Sequence, residues 1–413
     1  MNVHSKLRDY QIQIAQNADV RLTKLGIVYL AMEVRTGKTL TAFETARLYG
    51  AQSVLFLTKK KAISSIESDY TDFEYDKYFK LTCINDESMH KIEGQFDLVI
   101  HDEHHRFGAF PKPNKSARLF KQRFAHLPMI FLSGTPSPES WSQIYHQFWV
   151  SNRSPFKRWT TFYKWANDFV NKKQKYVAHG NPVNDYSDAD QDKIKGWIQD
   201  YMIYFTQSSA GFETQVNETI LNVRMQDKTY EYINRLKKHL VIEGKSEVIL
   251  ADTGVKLMQK CHQMYSGTIK FESGQSMVLD KSKAEFIQGK FYTKKIAIFY
   301  KFRAEFDMLC DVLGERITTD IDEFNSDESK WIALQIVSGR EGVNLSSADY
   351  LVYLNIDFSA VSYWQSRDRL TTMQRKTNDV FWIFSENGIE HDIYKTVMSK
   401  KDYTLKHFNK TIK

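Results

Sequence analysis

The 413-residue chain is long enough for two or three domains, and its 42% hydrophobic and 26% charged residues are typical of a globular protein and argue against wholesale disorder. The net charge of +7 is compatible with a polyanionic partner but does not establish one. The cysteines, Cys83, Cys261 and Cys310, form no CxxC pair, so a disulfide framework or a zinc ribbon is not expected.

The beginning of the chain and its apolar runs bear on localisation. The first ten residues, MNVHSKLRDY, contain no apolar signal core. No stretch approaches the roughly 18 apolar residues that a membrane span requires. We therefore expect a soluble, cytoplasmic protein with no membrane partner.

Short apolar runs alternate with helical stretches along most of the chain, and they form two sets. Each run is bounded by polar or Gly-containing segments, which is typical of buried parallel strands. The helix predicted at Leu40–Leu48 has Gly50 as its C-cap. The pattern predicts an α/β fold with two parallel sheets flanked by helices. The runs are Ile27–Met32, Val54–Leu57, Leu98–Ile100 and Met129–Leu132, then Ile296–Tyr300, Ile332–Val337, Leu351–Leu354 and Val380–Phe384.

The region between the two sets is richer in Lys, Gln, Tyr and Trp and is predicted to be mostly helical. Its basic stretches are interpreted as solvated helical faces, with DNA contact as the alternative. The predicted organisation is one lobe at 1–150, a helical insertion at 151–290 and a second lobe at 291–413.

Residues 31–39, AMEVRTGKT, follow a predicted strand and precede a predicted helix, which is the context of a phosphate loop. Backbone N–H groups of Arg35, Thr36 and Gly37, together with the helix N-terminus, would face phosphate oxygens. Lys38 would reach the β- and γ-phosphates, and the Thr39 hydroxyl would bind Mg²⁺. The full pattern GxxxxGK followed by Ser or Thr is broken, since Met32 replaces the first glycine. An ordinary strand-to-helix turn therefore remains an alternative interpretation of this segment.

Residues 97–105, DLVIHDEHH, place two carboxylates at the end of a predicted strand. In phosphoryl transfer, one such carboxylate holds Mg²⁺ and another orients and deprotonates the attacking water. Asp102 fits the first role and Glu103 the second. A transition-metal site that includes the neighbouring histidines is the alternative, but the HExxH spacing is missing.

With these two motifs in order, the sequence resembles helicase superfamily 2, in particular its Swi/Snf-like branch of DNA-dependent ATPases. As a compact single polypeptide with the segments MEVRTGKT and SGREGVNL, the chain looks most like phage or bacterial members of that branch. Further segments match the ordered motifs of that family from Leu7 to about Tyr394. They are LRDYQ (7–11), VLFLTKKK (54–61), SGTP (133–136), KKIAIFYKF (294–302), IVSGREGVNLSSADYLVYLN (336–355) and YWQSRDRL (363–370).

The resemblance implies two RecA-like lobes that bind ATP and Mg²⁺ at their seam and contact a nucleic-acid backbone. By the same resemblance, Gln11 would read the adenine edge and His105 would couple the nucleotide site to neighbouring elements. The other implied roles are nucleic-acid contact for Thr58, Lys59, Lys60 and Ser338, coupling for Ser133 and Thr135, nucleotide contact for Gly342 and Gln365, and catalysis for Arg367 and Arg369.

One position departs from the family pattern. In relatives, the last arginine of motif VI neutralises the γ-phosphate, and Thr372 stands at that position here. Arg367, Arg369 or Arg375 must then supply the charge, or hydrolysis is slow, since an arginine finger contributes on the order of 10³–10⁵ in rate.

The resulting hypothesis is an ATP-dependent DNA helicase, or a translocase on double-stranded or branched DNA, with single strands as a possible substrate. One alternative is the motor subunit of a restriction-type complex. A second is a nucleotide-gated DNA-binding clamp with little turnover, which the missing finger position suggests. The third is a metal-dependent hydrolase.

Overall fold

The computed structural model describes residues 7–175, 183–211, 215–244, 247–339, 345–359, 362–363, 366 and 377–399. They divide into two compact units, Met1–Phe212 and Glu213–Lys413. Each unit is built around its own sheet.

The first unit contains a six-stranded parallel sheet with the order β3-β2-β4-β5-β1-β8. Its strands are β1 (Ile27–Met32), β2 (Ser53–Thr58), β3 (Lys80–Asn85), β4 (Leu98–His101), β5 (Met129–Leu132) and β8 (Met202–Phe205), and β6 (Lys173–Lys175) pairs with β7 (Val183–Asp185) in a separate ribbon. The α-helices are α1 (Asp9–Leu25), α2 (Lys38–Tyr49), α3 (Ile63–Asp72), α4 (Lys115–Phe124), α5 (Ile144–Trp149), α6 (Phe162–Phe169) and α7 (Gln191–Ile198). Short 3₁₀ turns lie at Lys60–Ala62, Tyr75–Lys77, Asp86–Lys91, His104–Phe107 and Trp141–Gln143.

Both faces of this sheet are covered, which explains why its strands are continuous apolar runs. Every residue of β1 is buried, and alternate side chains point to opposite sides. Tyr29 joins a core with α4 to α7, whereas Leu30 joins a core with α1, α2 and α3. The chain can leave α1 and α2 sharply because Gly26 and Gly50 have φ angles of 72° and 79°, which glycine adopts without steric cost.

The second unit contains another six-stranded parallel sheet, with the order β15-β16-β14-β17-β18-β9. Its strands are β9 (Gln215–Val223), β14 (Ile296–Tyr300), β15 (Ile317–Thr318), β16 (Trp331–Gln335), β17 (Tyr350–Tyr353) and β18 (Thr377–Ser385). Two antiparallel ribbons pair β10 (Val241–Glu243) with β11 (Val248–Leu250) and β12 (Thr268–Lys270) with β13 (Ser276–Val278). The α-helices are α8 (Asp227–His239), α9 (Gly254–Tyr265), α10 (Ser282–Lys290), α11 (Arg303–Leu313), α12 (Ile321–Ser326), α13 (Ile336–Gly339) and α14 (Glu390–Met398), and a 3₁₀ turn lies at Gly314–Arg316.

Two parallel sheets, each covered by helices on both faces, are the architecture of two RecA-like lobes, so the predicted fold class is confirmed. One predicted strand has different bounds. The run Ile332–Val337 is a strand only to Gln335, and its last two residues begin α13.

The structure does not set residues 151–290 apart as a third unit, in contrast to the predicted division. Within that range β8 is an edge strand of the first sheet, and β9 pairs with β18 at the edge of the second. The surrounding helices pack on the two lobes: Trp165 of α6 lies in a core of the first unit and Met264 of α9 in a core of the second. The Lys-rich composition of this region reflects exposed faces of elements that belong to the lobes.

Among the residues described above, no helix is both long enough and apolar enough to cross a membrane.

Candidate active site

Three loops meet at the carboxyl edge of the first sheet, where they follow β1, β5 and β4. These strands are direct neighbours, so their loops are adjacent as well. The Ser133 N–H donates to the Leu30 carbonyl at 3.2 Å, which holds the end of β5 against β1. A side chain added at Gly134 would lie 3.5 Å from the carbonyl oxygen of Met32 and the nitrogen of Val34. The SGTP segment thus lies directly against the 31–39 loop.

The 31–39 loop adopts a conformation that leaves the backbone amides at the N-terminus of α2 uncapped. Arg35 and Gly37 have positive φ angles of 62° and 79°. Buried Thr36 stabilises the turn, since its hydroxyl donates to the Glu33 carbonyl at 2.7 Å. No side chain caps α2, whose first amides have no partner inside the helix. Amides of this kind, together with the helix dipole, bind phosphate groups.

Helix α1 contacts this loop through two side chains. Buried Gln11 accepts from the Arg8 N–H at 2.9 Å and donates to the Gly37 carbonyl at 3.3 Å. A side chain at residue 37 would collide with Gln11, which explains the glycine there together with its positive φ. The Tyr10 hydroxyl donates to the Thr36 carbonyl at 3.2 Å. Gln11 therefore helps to shape the loop, and its contact with adenine stays a prediction.

Lys38 and Thr39 lie in the first turn of α2, and both are half-buried. The Lys38 ammonium donates to the Glu33 carbonyl at 3.2 Å. Its positive charge lowers the pKa values of both carboxyl groups of the 102–103 pair. Among the described residues, none accepts a hydrogen bond from the Thr39 hydroxyl, which leaves that oxygen for a ligand.

The carboxyl groups of Asp102 and Glu103 follow β4. Asp102 accepts from the Thr58 hydroxyl at 3.1 Å and from the Glu103 N–H at 2.9 Å. Burial, and then the charge of Glu103, raise the pKa of Asp102 to about 6. Burial also raises the pKa of Glu103, but the hydrogen bond and charge of His105 and the charges of Lys38 and Lys59 outweigh it, which brings the value to about 2. A half-buried carboxylate such as that of Asp102, whose pKa remains raised despite these hydrogen bonds, suits a divalent cation, which favours its ionised form.

A polar chain connects Glu103 with the SGTP segment. The Nδ1 atom of His105 lies 3.2 Å from Glu103 Oε2 and 3.0 Å from the Ser133 hydroxyl. The Ser133 oxygen also accepts from the Thr135 N–H at 3.1 Å. The Thr135 hydroxyl oxygen is buried and has no hydrogen-bond partner among the described residues. The residues predicted to couple the site are thus brought together, although the coupling itself remains a prediction.

The other two histidines of the 97–105 segment, His101 and His104, make structural contacts. The Nδ1 atoms of His101 and His104 lie 2.6 Å apart, and the His104 ring stacks on Phe131 with a centroid distance of 3.6 Å. Their Nε2 atoms face Asp86 and the Gln147 carbonyl. Within the described ranges, no group of three or more His, Cys, Asp or Glu side chains is placed to hold a metal ion. The contacts thus give these two histidines a packing role.

The residues expected to contact nucleic acid differ in exposure and in the unit to which they belong. Thr58 is only 2% exposed, and its hydroxyl donates to Asp102. The prediction that Thr58 contacts nucleic acid is therefore wrong, because β2 ends inside the candidate site and the Thr58 side chain is buried there. Lys59 is half-buried and its charge acts on Glu103, whereas Lys60 is exposed. Ser338 lies in α13 of the second unit.

Four predicted residues lie outside the described part of the chain: Gly342, Gln365, Arg367 and Arg369. The arginine expected to act on the γ-phosphate therefore stays a sequence-based prediction.

Several residues near the loop were not predicted from the sequence. The Tyr10 ring stacks on Phe205 with a centroid distance of 4.8 Å. The Gln207 N–H donates to the Glu33 carboxylate at 2.7 Å, and its side chain donates to the Val34 carbonyl at 2.9 Å. Phe205 and Gln207 come from the end of β8 and the turn after it, and only the folded sheet reveals that β8 lies beside β1.

Comparisons with known proteins give structural neighbours only. No protein-family model matches the chain, and a comparison with curated proteins finds no similar one. The chain is similar to the Sulfolobus solfataricus SWI2/SNF2 ATPase core in complex with double-stranded DNA, at 17% identity and a TM-score of 0.42, over 95% of this chain and 91% of that chain. It is also similar to the Sulfolobus solfataricus SWI2/SNF2 ATPase core domain, at 16% identity and a TM-score of 0.40, over 95% and 88%. The assignment of the lobes rests on the strand orders described above.

Proposed function

We propose that this chain is a DNA-dependent ATPase of the Swi/Snf-like type, which uses ATP hydrolysis to move along duplex or branched DNA. One observation carries the proposal: the uncapped N-terminus of α2 and the Asp102–Glu103 pair share one edge of the sheet, and the charge of Lys38 acts on both carboxylates. An anion-binding loop beside a carboxylate pair is the arrangement that nucleoside triphosphate hydrolysis requires.

Each residue of the site in the first unit has a separate role in the proposed reaction. Loop amides and Lys38 bind the phosphates, while Gln11 and Tyr10 fix the loop. Glu103 orients and deprotonates the attacking water, and its φ of 48° is a strained conformation for a side chain of its size, as functional residues often adopt. His105 holds the Glu103 carboxylate in place.

Mg²⁺ fits the donors Thr39 and Asp102. The Thr58 hydrogen bond fixes the orientation of the Asp102 carboxylate, and burial has raised the pKa of Asp102 to about 6. When bound, the cation would neutralise charge on the β- and γ-phosphates. Thr58 is thus a positioning residue for Asp102 in this proposal.

DNA contact in the first unit is proposed for the turn after β2. Lys60 and Lys61 are exposed there, at the same edge of the sheet as the phosphate loop. Contacts from lysine to phosphates are independent of sequence and weaken with salt. Arg367 and Arg369 are proposed to supply charge to the γ-phosphate.

Steady-state ATPase measurements with single-stranded, duplex, forked and four-way DNA, and with RNA, test the proposal. We expect stimulation by duplex or branched DNA, and a strand-displacement assay on the fork shows whether strands are separated. Lys38→Ala should abolish turnover without changing the melting temperature, whereas Lys24→Ala at the end of α1 serves as the matched control. Wild-type turnover in Lys38→Ala would refute the loop assignment, and a chain with no turnover on any polymer is not a motor.

The arginine assignment is tested in the same assay. Replacing Arg367 and Arg369 by alanine, one at a time, should reduce turnover strongly for the residue that acts on the γ-phosphate. If neither change slows hydrolysis, another residue supplies that charge.

A further inference from the structure

A strong charge bias marks one segment of the first unit. Residues 115–164 contain a single carboxylate, Glu139. The same segment contains eight Lys and Arg residues, and this bias is much larger than that of the whole chain. The basic residues are Lys115, Arg118, Lys121, Arg123, Arg153, Lys157, Arg158 and Lys164. Five of them, Arg118, Lys121, Arg153, Lys157 and Arg158, are here called the basic face.

Three members of the basic face, Arg118, Lys121 and Lys157, line two adjoining pockets. The first has a volume of about 420 Å³ and is lined by Arg118, Lys121 and exposed polar side chains that include Asn152. The second has a volume of about 270 Å³ and shares Lys121 and Asn152 with the first. Lys157 lies at this second pocket, whose wall also includes the rings of Trp149 and Trp159. Both pockets thus combine cations with polar side chains, and the second adds aromatic rings.

The basic face lies at the amino edge of the sheet, opposite the phosphate loop. The Asn152 N–H donates to the Ala125 carbonyl at 2.9 Å, shortly before β5 begins. Arg153 lies against Gly26, the residue before β1. Since β1 has six residues, its two ends are roughly 20 Å apart. This surface is separate from the carboxyl-edge site.

A backbone carbonyl and aromatic rings hold Lys121 and Arg158 of the basic face, and the Trp159 indole beneath Arg158 donates to the Asp168 carboxylate at 2.6 Å. Among the described residues, no ion pair within 4.0 Å is formed by any of its five members. Lys121 donates to the Trp149 carbonyl at 2.7 Å and lies 3.9 Å from the centroid of that ring, and burial lowers its pKa. Arg158 lies between Trp159 and Trp197, at 3.8 and 4.4 Å from their ring centroids. Such preordered cations retain attraction for a polyanion.

We propose that the basic face binds the phosphate backbone of DNA and forms a second contact region on the first unit. Charge complementarity supports this occupant, because a cluster of cations with exposed polar side chains beside it attracts a phosphate backbone and can donate hydrogen bonds to it. The proposal rests on the proposed function only in taking DNA as the polymer. The contact needs no nucleotide, so it would hold the chain on DNA throughout the ATPase cycle.

Anisotropy measurements with a labelled short duplex, over a series of salt concentrations and without nucleotide, test the proposal. The variant Arg118→Gln/Lys157→Gln changes two exposed side chains of the basic face. We expect roughly tenfold weaker binding at low salt and a log–log salt slope smaller by about 2, with unchanged ATPase in the absence of DNA. The matched control, Lys238→Gln/Lys290→Gln, alters two exposed lysines of the second unit by the same charge.

Two outcomes would overturn the proposal. One is wild-type affinity and salt slope in the Arg118→Gln/Lys157→Gln variant. The other is displacement of the duplex by polyglutamate as effectively as by unlabelled DNA, which would assign the basic face to an acidic protein partner. Failure of the proposed function would appear differently, as a lack of ATP turnover with the affinity loss of the variant still present.

Discussion

The Nδ1 atoms of His101 and His104 lie 2.6 Å apart in a pair of fully buried rings. The outer nitrogens of the pair face oxygen acceptors: His101 lies 3.1 Å from Asp86, and His104 lies 2.8 Å from the carbonyl of Gln147. Both outer contacts require an N–H, since a carboxylate and a carbonyl oxygen only accept. Burial, and then the neighbouring His101, lower the pKa of His104 well below its ordinary value. The buried pair is therefore held at both ends by oxygen acceptors.

Substitution of His101 by phenylalanine tests how much this buried pair contributes to stability. The new ring keeps the stacking on Phe107, whose centroid is 4.2 Å away, but removes two hydrogen bonds. We expect a loss of about 2–4 kcal/mol in the free energy of unfolding, because the buried Asp86 carboxylate then loses its contact with His101 while its ion pair with half-buried Arg106 remains. Urea denaturation measures the loss, and Asp86→Asn should restore part of it in the double variant. An unchanged midpoint in His101→Phe would show that the hydrogen bonds of the buried pair contribute nothing to stability.

Substitution of Glu103 by glutamine separates binding from hydrolysis. The amide keeps the size of the side chain and an acceptor for His105, but it cannot take a proton from water. We expect ATP to bind, while turnover falls by roughly 10²–10⁴. A fluorescent ATP analogue measures binding and a single-turnover assay measures hydrolysis, with Glu139→Gln as the control. Hydrolysis at the wild-type rate would remove Glu103 from the role of base.

The central strands could be predicted from sequence because their environment is uniformly apolar. The predicted bounds Ile27–Met32, Met129–Leu132 and Ile296–Tyr300 are those of β1, β5 and β14. The edge strand β9, QVNETILNV, carries polar residues because part of its surface is exposed, and the sequence gives no sign that it pairs with β18. Its omission led to the prediction of a separate middle region.

In the candidate site, too, local sequence patterns could be recognised, whereas contacts between distant strands could not. The loop with Lys38 and the pair Asp102–Glu103 are contiguous motifs, so residue type and spacing were sufficient to find them. The hydrogen bond from Thr58 to Asp102 joins the ends of two strands that are far apart in the chain. The role of such a residue depends on strand order, which no local pattern encodes.

Asp280 predicts a pH dependence of stability in the second unit. Burial raises the pKa of its carboxyl group, but hydrogen bonds from Ser282, Thr229 and Gln226 outweigh that effect and lower the pKa below its ordinary value of 3.8. The stabilisation is therefore fully present above pH 3.8 and is lost as the pH falls through the lower, folded-state pKa. Asp280→Asn should lower stability by about 1–3 kcal/mol at pH 7, since an amide offers fewer acceptors.

Urea unfolding at pH 7 and near pH 3, followed by hydrogen exchange in α8 and α10, checks this prediction. The difference between wild type and Asp280→Asn should shrink at the lower pH, because the Asp280 carboxyl of the unfolded chain is protonated below its ordinary pKa of 3.8, which reduces the advantage of the ionised form in the folded state. Exposed Asp311→Asn is the control for a general effect of charge. A difference that is the same at both pH values would show that ionisation of Asp280 contributes nothing.

Lys283 of α10 and Glu390 of α14 form a fully buried ion pair, with 2.8 Å between Nζ and Oε1. The ammonium also donates to the Leu354 carbonyl, whereas Glu390 Oε2 has no partner among the described residues. Desolvation of two charges offsets much of their attraction, so the pair itself contributes little, but removal of one partner leaves a buried charge alone. Lys283→Met should therefore cost about 3–5 kcal/mol, and Lys283→Met/Glu390→Leu should recover most of that loss. Urea unfolding of both single variants and the double variant measures the coupling; additive losses would mean that the two charges do not interact.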